Sequence, residues 1–196
     1  MKKYIVVMIC LIISFIIMGM NAYQTSSQPM HMYPNLPSPI GKEPILITSA
    51  GQSVEGGMVE NIARQLHLDA DYRPRALATD LYEYDTIIII LGYSYNGLLH
   101  KQRQFEQERK RIRKLAQQAE HSGKPIVLID LDVEYRDNQE TWKLTEEVLS
   151  YADYFIGRRH EKPLDTLLEN LEHYHIPSTF VDQLEDLKTP FNSVFR

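Results

Sequence analysis

Five consecutive apolar residues, Ile87-Ile88-Ile89-Ile90-Leu91, show no alternation of apolar and polar positions. A strand with one face in water alternates. A strand that does not is covered on both faces, which is the condition of a central strand in a parallel sheet with helices above and below. From residue 44 onward other β-branched runs alternate with helical patterns in the manner of βαβ units. Strands are expected at 45–49, 86–91, 125–131 and 154–156, with weaker ones at 71–73 and 178–181. Helices are expected at 57–66, 98–121, 139–151 and 163–174, with a short one at 190–195. Pro74 removes a ladder donor beside the 71–73 segment, which places that strand at an edge. At 196 residues the chain is long enough for one ordinary core and too short for two large ones.

These elements describe an α/β protein: a single three-layer sandwich with a doubly wound, mainly parallel sheet of the flavodoxin-like or Rossmann-like kind. The expected strand order is 2-1-3-4-5, with room for a sixth strand. In such sheets a ligand crevice lies beyond the carboxyl ends of strands one and three, where the winding reverses. The loop after strand one supplies Thr48, Ser49, Gly51, Gln52, Ser53 and Glu55, and the loop after strand three supplies Ser94 and Asn96. Hydroxyls, amides and backbone N–H groups in two facing turns would form a polar binding surface, so Ser49, Gly51, Gln52, Ser53, Glu55, Ser94 and Asn96 are the expected ligand-binding residues. Ser53, Ser94 and Asn96 equally suit helix N-capping.

The run Thr48-Ser49-Ala50-Gly51-Gln52-Ser53 resembles the phosphate loop of flavodoxins, with Ala50 where a central threonine is usual. Tyr93 and Tyr95 have the shape to stack on a flavin ring, yet tyrosines at strand ends mostly pack, and Glu55 would compete with a phosphate for the start of the helix. No cofactor is therefore expected. A longer likeness runs from residue 44 to the C-terminus through PILITSAGQSVEGGMV, KPIVLIDLD and ADYFIG. These segments resemble a family of exported bacterial proteins of the Gram-positive type that is classed as a domain of unknown function. The resemblance implies the fold and the compartment, and it brings no reaction, cofactor or catalytic residue. Members of that family tend to have a glycine-rich loop after strand four. This chain has Asp132-Val133-Glu134-Tyr135-Arg136-Asp137 there, which implies a different wall to the crevice.

Residues 4–20 are apolar apart from Tyr4, Ser14 and Gly19, and they follow the basic pair Lys2-Lys3. Their length lies between that of a signal-peptide core and that of a comfortable transmembrane helix. Residues 1–20 are thus expected to be a signal peptide or a retained membrane anchor. Met20 fits poorly at the third position before a cleavage after Ala22, which favours retention. In either case the lysines stay inside and the remainder is exported. Residues 21–41 carry Pro29, Pro34, Pro37 and Pro39 among polar residues and read as a tether, leaving 42–196 as the α/β domain.

The single cysteine, Cys10, lies inside the apolar run, so the exported part has neither disulfides nor a thiol nucleophile. Removing Lys2 and Lys3 from the 21 basic residues leaves 19 against 26 acidic ones, a net charge of −7 that speaks against nucleic acid as a partner.

Other clusters favour structural readings. Asp130, Asp132 and Glu134 alternate along a strand end, but calcium draws on more ligands from several loops, so no metal is expected. Arg158-Arg159-His160 lies too far along the proposed sheet to share the strand-one crevice. The run Arg109-Lys110-Arg111-Ile112-Arg113-Lys114 reads as a solvated helix face, with Glu106 pairing Lys110. His100 has no nucleophile or orienting carboxylate beside it, and no catalytic residue is assigned. Three functions follow: a non-catalytic binder of a small polar or anionic ligand outside the cytosol, an interaction or scaffold protein of the cell envelope, or, with least support, a flavin-dependent or hydrolytic enzyme.

Overall fold

A six-stranded, all-parallel sheet forms among the described residues, ordered β2-β1-β3-β4-β5-β6. The computed structural model describes residues 35–100, 104–131, 139–159 and 165–196. The strands are β1 Ile45–Ala50, β2 Ala70–Tyr72, β3 Thr86–Leu91, β4 Ile126–Asp130, β5 Tyr154–Arg158 and β6 Ser178–Val181. The helices are α1 Gly56–Gln65, α2 Tyr95–His100, α3 Phe105–His121, α4 Gln139–Val148, α5 Asp165–His173 and α6 Lys188–Ser193. This is the doubly wound α/β architecture expected from the sequence, with the sixth strand present and β2 at an edge.

β3 shows why the isoleucine run is uninterrupted. Ile87, Ile89 and Leu91 enter one layer with Leu46, Leu128 and Phe155, beneath Ile112, Leu115, Ala116 and Ala119 of α3 and Leu144 and Val148 of α4. Ile88 and Ile90 enter the other with Ile45, Ile47, Val127 and Ile129, against Val59, Ile62 and Ala63 of α1 and Phe191 of α6. All five residues of the run are at most 1% exposed. The chain steps from β1 out to β2 over one face and returns over the other, as uniformly right-handed crossovers require.

One helix differs from expectation. In place of a single helix over 98–121, α2 begins at Tyr95 and α3 begins at Phe105, after Gln104 in an extended conformation (φ −87°, ψ 149°). The Gln104 N–H donates to Gln107 Oε1 at 3.2 Å, so a local side-chain acceptor replaces the backbone carbonyl that a continuous helix would supply. The 3-10 turn Ala78–Glu83, unforeseen in the sequence, buries Leu81 on the return from β2.

α3 and α4 are joined by Glu147, which takes Arg109 and Arg113 together; Glu106 pairs with Arg109 at 3.0 Å and not with Lys110. Two arginines also hold the Glu147 carboxyl below its ordinary pKa, the Arg113 hydrogen bond foremost, against a smaller opposing effect of burial.

At the foot of the sheet the Ile40 and Gly41 N–H groups donate to Val194 O at 3.0 and 2.8 Å. Thr86 Oγ1 bonds both the N–H and the carbonyl of Lys42, each at 2.7 Å. These contacts clasp the entering chain to α6 and to the start of β3. The proposed anchor, residues 1–20, and the tether as far as residue 34 lie outside the described residues, as do Asp132, Glu134 and His160. Among the described residues no helix is long and apolar enough to cross a membrane.

Candidate functional site

β1 ends in a turn that only an unusual backbone can make: Gly51 has φ 100° and Gln52 φ 64°. Glycine takes that first conformation without steric cost. A methyl group at Gly51 would overlap the Gly92 carbonyl oxygen and lie 2.8 Å from Leu144 Cδ1. The loops after β1 and β3 therefore touch. Gly92 N–H donates to Ala50 O at 3.1 Å, Ser94 N–H donates to Gly51 O at 2.8 Å, and Gln52 bridges Tyr93 in antiparallel fashion.

A buried ion pair lies beneath this turn. Glu108 is 0% and Arg111 6% exposed, both on the inner face of α3. Arg111 Nη2 donates to Glu108 Oε1 at 2.7 Å and Arg111 Nε to Oε2 at 3.0 Å, a two-pronged contact. Glu108 Oε1 also accepts from Gly51 N–H at 3.2 Å and from Gln52 Nε2 at 3.1 Å. Arg111 further donates to the carbonyl oxygens of Ala76, at 2.8 Å, and Ser49, while Gln52 Nε2 donates to Pro74 O at 2.7 Å. One charge pair thus ties α3 to the end of β1 and to the segment after β2. Burial pushes the Glu108 carboxyl up, but Arg111, Gln52 and the Gly51 N–H together pull it below its ordinary pKa.

Ser49 and Ser53 are both buried, their hydroxyl oxygens 3.4 Å apart. Gln52 is engaged in the network just described. Ser94 Oγ accepts the Gly97 N–H at 3.1 Å, so it caps α2, whereas Ser53 makes no such bond to α1. Asn96 is exposed in the first turn of α2. Tyr93 packs edge-on against Phe105, ring centroids 5.6 Å apart. Thr48 is fully buried, 3.5 Å from Arg111 Nη1.

Glu55 stands apart from these. It precedes α1 without capping it, and the Tyr72 ring lies against the bare face of Gly56 beside it. Burial, and after it the negative charge of Glu55, raises the Tyr72 phenol above its ordinary pKa, keeping the phenol neutral. Among the described residues, the buried side-chain oxygen left without a hydrogen-bond partner is Glu55 Oε2. Val54 (83%), next to Glu55 in sequence, and Met58 (40%), three residues on, are exposed, and so is Tyr95 (63%) at the start of α2.

The clusters read as structural in the sequence are placed as follows. Asp130 is buried at the end of β4, Arg159 pairs with Asp182 at 3.4 Å, and no group of three or more metal-binding side chains forms among the described residues. A family profile described as "Domain of unknown function (DUF6305)" matches residues 42–195. The chain belongs to that family. No curated protein matches it.

In this DUF6305 domain the element that sequence reading missed is the Glu108–Arg111 pair. The signal was present: Glu108 lies four residues before Ile112 and seven before Leu115, on the stripe that faces the core. Charged side chains at such positions are buried only when paired, and Arg111 stands three residues on.

Proposed function

We propose that this domain is a non-catalytic, extracytoplasmic module that binds a small polar ligand at the rim built by the loops after β1 and β3. The observation that carries the proposal is Glu55 Oε2, a buried carboxylate oxygen without a partner, at the edge where the two loops meet. An unsatisfied buried acceptor costs about 1–3 kcal/mol, and a hydroxyl or ammonium donor from a ligand recovers that cost. The same carboxylate disfavours anions, so within the polar class the site suits polyols, sugars and amines better than phosphates or carboxylates. Export rests on the apolar segment behind Lys2-Lys3, and the non-catalytic reading on the absence of a nucleophile and base pairing in the sequence motifs.

Thermal unfolding of the protein against a panel of polyols, sugars, amino acids, amines, carboxylates and phosphates tests the proposal. A donor-rich compound should raise the melting temperature, with about 2.7 kcal/mol of stabilisation at a hundredfold excess over its dissociation constant. Glu55→Ala should remove that shift. A panel without a single shift, or a shift indifferent to Glu55→Ala, would overturn the assignment.

A second reading, an envelope interaction protein, is favoured by the exposure of Val54 and Met58, flanking Glu55 in sequence, and of Tyr95 at the start of α2, since exposed apolar side chains can mark contact surfaces. It predicts that Val54→Asp abolishes cross-linking to a partner in intact cells. Retention of the cross-link in that variant would count against it.

A further inference from the structure

A groove of about 500 Å³ runs between α3 and the start of the 3-10 turn Ala78–Glu83. Leu77 and Ala78 form one wall, Lys110 and Lys114 the other, and Arg111 lies within it. A second hollow of about 310 Å³ shares Ala78 and Thr79 and continues past Leu81 and Tyr82. The larger hollow falls within the roughly 300–1,000 Å³ of small-molecule sites. Leu77, on the larger hollow, is 48% exposed, and Tyr82, on the smaller, is 80% exposed.

The charges beside this groove are distinctive. The arginines of α3 are all paired: Arg109 with Glu106 and Glu147, Arg111 with Glu108, Arg113 with Glu147. Lys110 and Lys114 make no ion pair among the described residues, although they stand one helical turn apart, where like charges destabilise a helix. On the facing wall, the Asp80 carboxylate is engaged by the Leu77 N–H at 2.8 Å. Two unneutralised cations over an apolar trough, in a chain whose net charge is −5, complement a negative head carried on an apolar body.

We propose that this groove binds a single-chain amphipathic anion, its alkyl tail along Leu77 and Ala78 and its carboxylate between Lys110 and Lys114. A free inorganic anion would leave the apolar wall unused. A flat membrane surface would not fill a trough with two walls.

Isothermal titration of dodecanoate, below its micelle concentration, into the purified full chain tests the proposal. Wild type should give saturable one-to-one binding. Lys110→Glu/Lys114→Glu should weaken it about tenfold or more, and Ala78→Trp, which fills the trough without touching the lysines, should abolish it. Octanoate should bind more weakly and dodecylammonium not saturably. The apolar stretch 4–20 is identical in every variant, so differences between variants report the groove. Each variant should keep the wild-type circular dichroism spectrum, and the two rest on independent surface changes. Absence of saturable heat, binding unchanged in both variants, or binding to anionic-lipid vesicles without binding of free dodecanoate would overturn it.

Discussion

Arg111→Ala should destabilise the domain by about 3–5 kcal/mol, the cost of leaving a buried charge without its partner. Glu108 would then sit at 0% exposure without its two-pronged cationic partner, while the contacts from Gln52 and the Gly51 N–H supply no compensating charge. The cost would be felt in three segments, because Arg111 also bonds the carbonyls of Ser49 and Ala76. Urea unfolding followed by circular dichroism measures it. The double variant Glu108→Leu/Arg111→Met should recover much of the loss, since replacing both members of a buried pair by apolar residues is often near neutral. A loss under about 1 kcal/mol for Arg111→Ala would mean that water reaches Glu108.

The same pair sets an acid limit. Glu108 and Glu147 both have folded-state pKa values lowered from the ordinary carboxylate value. Each therefore contributes stability that is complete above the unfolded value, about 4.3, and lost as the pH falls through the lower folded value. Unfolding free energy should be level near neutrality and fall below about pH 4, and the fall should be shallower in Glu108→Leu/Arg111→Met.

Gly51→Ala should be the second most damaging change, at about 3 kcal/mol, from a side chain forced into a left-handed backbone and from crowding in a packed interior. The new methyl meets the Gly92 carbonyl and Leu144, so the loops after β1 and β3 must separate. The urea midpoint reads the stability. Amide hydrogen exchange at Ser94, whose N–H is bonded to the Gly51 carbonyl, reads the separation. Protection at Ser94 equal to wild type, with an unchanged midpoint, would show that the turn has another way to close.

The sheet was legible because its physics is written in runs. Ile87 to Leu91 could only be central, Pro74 could only border an edge, and β6 emerged at 178–181 as read. The break before α3 was not legible, because Gln104 holds it through a side-chain bond that leaves no mark in apolar periodicity. At the site, the meeting of the two loops followed from topology alone. The roles of individual side chains did not. Gln52 has the composition of a ligand contact, and its amide is engaged by Glu108 and Pro74. Arg111 stands in a run of five basic residues around Ile112 and looks solvated, while its guanidinium lies under β1. Formal charge does not record partnership, and only the spacing of Glu108 to the apolar stripe distinguished this arginine from Arg109 or Arg113.

The clasp of Ile40 and Gly41 onto Val194 has a mechanical consequence. Tension applied upstream of residue 40 is delivered to the amino-terminal edge of the sheet, where it must first shear two hydrogen bonds to the last turn of the chain and then load Thr86. The turn at Gly51 follows the carboxyl end of the neighbouring strand β1, paired with β3 along its length, so strain entering at Thr86 would dissipate across the pleated layer before reaching it.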